Sequence, residues 1–186
     1  EYDSALFYYE KGLALKQKIN DQVGIPYSLN NIAGVFVLRK QFDKAEENYQ
    51  KALEIRKKIN DTVGIAENYS YLGDLHLMQK DFKKAIGFYQ KSTEITDKHK
   101  YLGLSQDSYR KISECFENLG EHQNALQNFK KFSALKDSLI NQETNSKIAE
   151  LEVKFDTNEK EKQLLQKQAE VETSRIKFSV AIVFAI

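Results

Sequence analysis

The side chains able to do chemistry are three histidines, His76, His99 and His122, one cysteine, Cys115, and many carboxylates. Histidine beside a carboxylate or a thiol is the common equipment for proton transfer, nucleophilic attack or zinc binding. The spacing supports none of these. The chain has no HExxH, no CxxC, no GxxxxGK[ST] and no GxSxG. His76 falls on a packing position of a helical pattern, His99 in a turn, and His122 at a helix start. Cys115 has no partner for an internal disulfide and reads as a small buried apolar side chain. The carboxylates fall on polar helix faces, and no two stand out as an acid–base couple. No catalytic residue, no metal ligand and no cofactor is expected. Any catalytic activity would lie in sequence not present here.

What remains is binding chemistry, and it depends on the elements that hold the binding groups. Of 186 residues, one is proline and eight are glycine, too few turn residues for an all-β chain. Long helices joined by short turns suit this composition. Hydrophobic residues make up 41%, enough for a core, and charged residues 30%. Twenty-eight basic residues nearly balance twenty-seven acidic ones, with the signs interspersed. A nucleic-acid binder concentrates basic residues on one face. No such footprint exists, so no nucleic-acid partner is expected.

Sliding the chain by forty residues exposes a repeat. Tyr2-Asp3-Ser4-Ala5 aligns with Phe42-Asp43-Lys44-Ala45, Phe82-Lys83-Lys84-Ala85 and His122-Gln123-Asn124-Ala125. Four residues after each alanine stands an aromatic, at Tyr9, Tyr49, Tyr89 and Phe129, and two residues later a lysine, at Lys11, Lys51, Lys91 and Lys131. Asn20-Asp21-Gln22-Val23-Gly24-Ile25 matches Asn60-Asp61-Thr62-Val63-Gly64-Ile65; the third copy, Tyr101-Leu102-Gly103-Leu104, is looser. Each unit reads as two helices. Tyr69, Leu72, Gly73 and His76 share one helical face, Lys80-Asp81 supplies a turn, and Phe82, Ala85, Tyr89 and Ser92 begin the next face. Small residues let two helices approach, and the aromatic one turn later fills the adjacent groove. A bulky residue at Ala45 or Ala85 would overpack that contact at a cost of about 1–3 kcal/mol. Loss of a buried Tyr49 ring would cost about 3–5 kcal/mol.

These positions resemble the tetratricopeptide repeat family over about residues 1–138. The first-helix pattern falls on Leu29, Ile32, Ala33 and Phe36, on Tyr69, Leu72, Gly73 and His76, and on Tyr109, Ile112, Ser113 and Phe116. The second-helix pattern falls on Phe42, Ala45, Tyr49 and Ala52, on Phe82, Ala85, Tyr89 and Ser92, and on His122, Ala125, Phe129 and Phe132. Tyr2, Ala5, Tyr9 and Gly12 fit the second helix of an earlier unit. The family's usual unit has about 34 residues and ends in proline. Here the unit is longer, which lengthens both helices, and that proline is missing. Phe132 occupies a small-residue position, so the last hairpin packs differently or acts as a cap.

The resemblance implies an all-α fold, a solenoid of helical hairpins followed by a long C-terminal helix. The half repeat spans 1–20, and full repeats span about 21–60, 61–100 and 101–138. It implies a protein or peptide ligand in a groove lined by the first helices. Those positions are Tyr27, Asn30, Asn31, Gly34 and Leu38; Glu67, Ser70, Tyr71, Asp74 and Met78; and Asp107, Arg110, Lys111, Glu114 and Asn118. Some members clamp a terminal carboxylate with lysines, arginine and asparagines. Asn31, Arg110 and Lys111 do not have the spacing for that clamp.

Residues 139–177 read as a charged, coiled-coil-like helix. Ile148, Leu151, Phe155, Asn158, Lys162, Leu165, Ala169, Glu172 and Ile176 form a partly polar seam. It is either a dimerising stalk or a capping helix with a solvated linker. Residues 178–186 are uncharged and follow Arg175 and Lys177, which read as interfacial anchors before a truncated transmembrane helix. A full span needs about 20 apolar residues. Hairpins, the Lys136–Leu139 step, the charged helix and the apolar end together resemble the sensor half of bacterial membrane-bound signalling proteins of the histidine kinase type. That resemblance implies a membrane-anchored, extracytoplasmic sensing module, with a cytoplasmic location as the alternative. A soluble assembly scaffold or adaptor without signalling output is the other reading.

Overall fold

The computed structural model describes the backbone of residues 2–184, and the side chains of residues 2–142, 157, 160–168 and 171–172. Seven α-helices are described: α1 Tyr2–Lys18, α2 Gly24–Leu38, α3 Phe42–Lys58, α4 Thr62–Met78, α5 Phe82–His99, α6 Leu102–Asn118 and α7 His122–Phe184. The chain divides into two compact units, Glu1–Leu139 and Ile140–Ile186.

In the first unit the helices end at a fixed interval. Asn20, Lys40, Asn60, Lys80, Lys100 and Gly120 all have positive φ, one every twenty residues. Each stands just past a helix, and the backbone closes around it in the same way. Asp21 N–H donates to the Lys16 carbonyl and Asn20 N–H to that of Gln17, and the pair recurs through Glu121 to Phe116 and Gly120 to Glu117. This is the Schellman closure, which pairs carbonyls that a helix end otherwise leaves without donors. Glycine enters the left-handed region freely and asparagine tolerates it, whereas other side chains meet the carbonyl there. The twenty-residue interval was not visible in residue types, because lysine fills half of these positions. At the opposite ends, Asp21, Asp61 and Asp81 accept from the N–H of Gly24, Gly64 and Lys84 at 2.8, 3.0 and 3.3 Å. These side chains satisfy first-turn donors.

The helices pack mainly against their chain neighbours. Ala45 and Ala85 are 0% exposed and Ala125 is 4% exposed, so each second helix approaches its partner at its alanine. Tyr49 joins a core with Ala33, Leu53, Leu72 and Leu75; Tyr89 joins one with Ile86, Tyr109, Ile112 and Cys115. The aromatics at the two ends of the unit differ. Tyr9 and Phe129 are exposed. Phe132 lies with Leu135 against the Tyr109 and Ile112 core, filling space that a small residue would have left open.

Polar side chains stitch successive first helices together. Asn30 of α2 and Asn68 of α4 exchange side-chain hydrogen bonds at 3.3 and 3.0 Å. Thirty-eight residues apart again, Ser70 of α4 meets Ser108 of α6 at 3.3 Å. Ser70 also meets Ser92 of α5 at 3.0 Å, and Ser92 donates to the Ala66 carbonyl. Buried polar groups need such partners, so these contacts fix the register between hairpins.

In the second unit the backbone is helical to Phe184. Leu164, Leu165 and Val171 are exposed. The remaining seam positions Ile148, Leu151, Phe155, Asn158, Ala169 and Ile176, and the side chains of the apolar 178–186 segment, lie outside the described residues. Among the described residues no helix is long and apolar enough to cross a membrane. The expectation of a membrane-anchored, extracytoplasmic module is corrected accordingly.

Candidate functional site

The first helices α2, α4 and α6 carry the candidate groups, and three groups of contacts lie along them. The first begins at α2, where the exposed Tyr27 ring lies over the Arg56 guanidinium, 4.8 Å from ring centre to carbon. Arg56 comes from α3 and is fully buried. Its Nη1 donates to the Gly64 carbonyl and, at 3.0 Å, to Glu67; its Nε lies 3.6 Å from Asp61. Forty residues earlier the arrangement repeats. Lys16 Nζ donates to the Gly24 carbonyl at 3.2 Å and to Ser28 at 2.9 Å. Arg56 thus holds the start of α4 while supporting Tyr27 from below. A Cβ on Gly64 would collide with Arg56 and with Asp61, which is why glycine follows this turn.

Tyr71 of α4 stacks on Tyr49, with ring centres 5.6 Å apart and planes 17° from parallel. Burial raises the pKa of Tyr71 and, with the neighbouring Tyr71 and Asp74, pushes Tyr49 up to about 12. One turn along, Asp74 accepts from the Tyr89 hydroxyl at 2.6 Å and from Lys111 Nζ at 2.6 Å. Lys111 reaches a second carboxylate, Asp107, at 2.9 Å. Burial disfavours the lysine charge, but the bonds it donates to Asp107 and Asp74 outweigh that and raise its pKa. Burial likewise pushes Asp107 up, and the bonds from Lys111 and Arg110 more than reverse it. Arg110 meets Asp107 at 2.7 Å and Glu114 at 3.8 Å.

Of the residues expected to line a groove, Tyr27, Asn31, Tyr71, Arg110 and Glu114 are exposed, and Asp74 and Lys111 are half-buried. Asn30 and Ser70 are different. They are 9% and 6% exposed, and their hydrogen bonds run to neighbouring helices, so they tie hairpins together and are not presented to a ligand. Repeat position explains the error: Asn30, Ser70 and Arg110 are forty residues apart, but only the long arginine escapes the interhelix seam. Sequence reasoning also missed Arg56 as the support of Tyr27. Its signal was the basic residue eight places before each turn glycine, Lys16 before Gly24 and Arg56 before Gly64.

The histidines and the cysteine do not join these contacts. His76 is buried, stacks on Phe88 with ring centres 5.3 Å apart, and lies 3.8 Å from Glu46. His99 closes α5 and His122 opens α7. Cys115 is buried, which pushes its thiol up to about 11. Among the described residues no group of three or more histidine, cysteine, aspartate or glutamate side chains is placed to hold a metal.

Stacked antiparallel hairpins with one polar, aromatic face define a helical-repeat protein of the kind that holds other chains. Residues 25–98 match the tetratricopeptide repeat family model. A search of curated proteins finds no match. Solved structures share the fold. BtubC (BKLC) from P. vanneervenii matches at TM-score 0.67 and 20% identity, covering 74% of this chain and 57% of that one. A Rap protein complexed with Competence and Sporulation Factor matches at TM-score 0.68 and 17% identity, covering 73% and 38%. The TPR domain of Arabidopsis FLU matches at TM-score 0.57 and 18% identity, covering 61% and 95%. The chain therefore spans little more than half of the first of these proteins and well under half of the second.

Proposed function

We propose that this chain is a protein- or peptide-binding module that serves as an assembly scaffold or adaptor, with its ligand seated on the face of α2, α4 and α6. The observation that carries this reading is a set of contacts along these helices: Tyr27 over Arg56, Arg56 with Glu67, Tyr71 stacked on Tyr49, and Asp74 sharing Lys111 with Asp107, which also pairs with Arg110. It spans three hairpins and keeps aromatic rings and hydrogen-bonding groups at the surface. Rigid aromatics beside adaptable polar groups suit recognition of a chain segment. The half-buried members are held from both sides, so the face is organised before a ligand arrives, which lowers the ordering cost of binding. The Rap protein solved with a bound factor supports a regulatory version, in which a bound segment alters hairpin stacking and α7 carries the change. Each hairpin touches mainly its neighbours, so small rotations add along the stack.

Peptide-display panning on the full chain, followed by anisotropy with the selected peptides, tests the site. The triple substitution Asn31→Ala, Tyr71→Ala and Arg110→Ala is expected to abolish binding and leave the far-ultraviolet circular dichroism unchanged. Undiminished binding by the folded triple variant would place the ligand elsewhere.

A further inference from the structure

The two sets of helices carry opposite charge. Among the first helices, α2 has no charged side chain, and α4 has Glu67 and Asp74 with no lysine or arginine. In α6, Asp107, Glu114 and Glu117 outnumber Arg110 and Lys111. The second helices α3 and α5 hold the compensating excess of lysine and arginine, ending in Arg56-Lys57-Lys58 and in Lys98. The net charge of +1 conceals this separation.

The cations that do reach the first-helix face are already matched. Lys111 lies against both Asp74 and Asp107, and Arg110 against both Asp107 and Glu114. Arg56 is sealed beneath Tyr27, its side chain 1% exposed, between Asp61 and Glu67. Arg56, Arg110 and Lys111 together lie among five carboxylates, Asp61, Glu67, Asp74, Asp107 and Glu114, so the surplus charge around them is negative; Lys16 of α1 is spent on the Gly24 carbonyl and Ser28.

Two tyrosine rings of these first helices are exposed. Tyr27 is 50% exposed and Tyr71 is 38% exposed. Glu67 stands one turn before Tyr71 and is joined through Arg56 to Tyr27. A carboxylate near exposed tyrosines attracts a cation by charge, and an exposed ring adds its quadrupole. An acidic segment would add a further negative charge to the surplus and be repelled.

We infer that the segment seated on this face is basic, with a lysine or arginine side chain placed between Tyr27 and Tyr71 against Glu67. This rests on the binding reading above and specifies its partner.

The test uses the composition of the panned peptides and their affinity. Enrichment of lysine and arginine over aspartate and glutamate is expected. Affinity should fall several-fold between about 50 and 300 mM salt, as screening of an exposed charge pair requires. Glu67→Gln keeps the acceptor for Arg56 and removes the charge; it and Glu114→Gln should each weaken binding about two- to fivefold. Peptides that bind the face but are neutral or acidic, or that ignore both Gln substitutions, overturn the inference and leave the binding reading standing. Panning that enriches no sequence overturns both.

Discussion

Gly73→Ala probes the contact that aligns α4 with α5. A Cβ at this position would lie 2.5, 2.6 and 2.9 Å from Cε1, Cδ1 and Cζ of Tyr89. Carbon atoms rest at about 3.5–4.0 Å, so the ring must retreat by about 1 Å. It has little room to do so. Tyr89 is 0% exposed, and its hydroxyl is held by Asp74 at 2.6 Å. Overpacking of this kind costs about 1–3 kcal/mol. Alanine recovers up to about 1 kcal/mol in a helix interior relative to glycine. The expected net loss is about 1–2 kcal/mol. Gly87→Ala supplies the control, because glycine there is also inside a helix and a Cβ would meet nothing within 4 Å. It should stabilise by up to about 1 kcal/mol. Urea unfolding followed by near-ultraviolet circular dichroism reads both, since the chain has ten tyrosines and no tryptophan. Hydrogen exchange on α4 and α5 localises the effect within the stack. Because Tyr89 anchors Asp74 and Asp74 anchors Lys111, the variant should also weaken ligand binding. If Gly73→Ala stabilises as much as Gly87→Ala, the ring does not fill the space over Gly73, and the packing argument for the first-helix face fails.

Two further outcomes concern the turns and the buried phenols. Lys80 is held at φ +62°, so Lys80→Gly should stabilise by about 1 kcal/mol, and Gly120→Ala, at φ +74°, should destabilise by a similar amount; thermal melts of the two variants should move in opposite directions. Burial raises Tyr49 and Tyr109 to about 12 and Tyr89 further still. These phenols are neutral in the fold and ionise more readily when unfolded, so their contribution is complete below about pH 10 and is lost as pH rises through about 12. Absorbance titration in the phenolate band should show some tyrosines ionising only together with loss of the near-ultraviolet signal; all ten tyrosines titrating freely near their ordinary value would contradict their burial.

The forty-residue spacing of alanine and aromatic was enough to read the helical hairpins and their order, because that pairing is a local packing rule repeated along the chain. Ala45, Ala85 and Ala125 are buried as that rule requires. The candidate face was partly legible for the same reason. A residue on a first helix recurs every forty positions, so Asn31, Tyr71 and Lys111 could be aligned without coordinates. The tail was less legible. An uncharged stretch of nine residues suits a buried helix end as well as it suits the edge of a span, and the membrane reading is overturned.

The sequence alone determined the period, the two-helix unit and the set of positions that share a face. Those depend on side-chain size and on distances of three or four residues. The tertiary structure decided which members of that set remain available. Asn30 and Ser70 occupy the same repeat position as Arg110, yet short polar side chains there find partners across the seam and are buried, while the arginine extends to the surface. It also decided that Arg56 supports Tyr27 and that Lys111 is shared between Asp74 and Asp107. Those pairings join residues of different helices, and their energies depend on separations and burial that exist only once the hairpins stack.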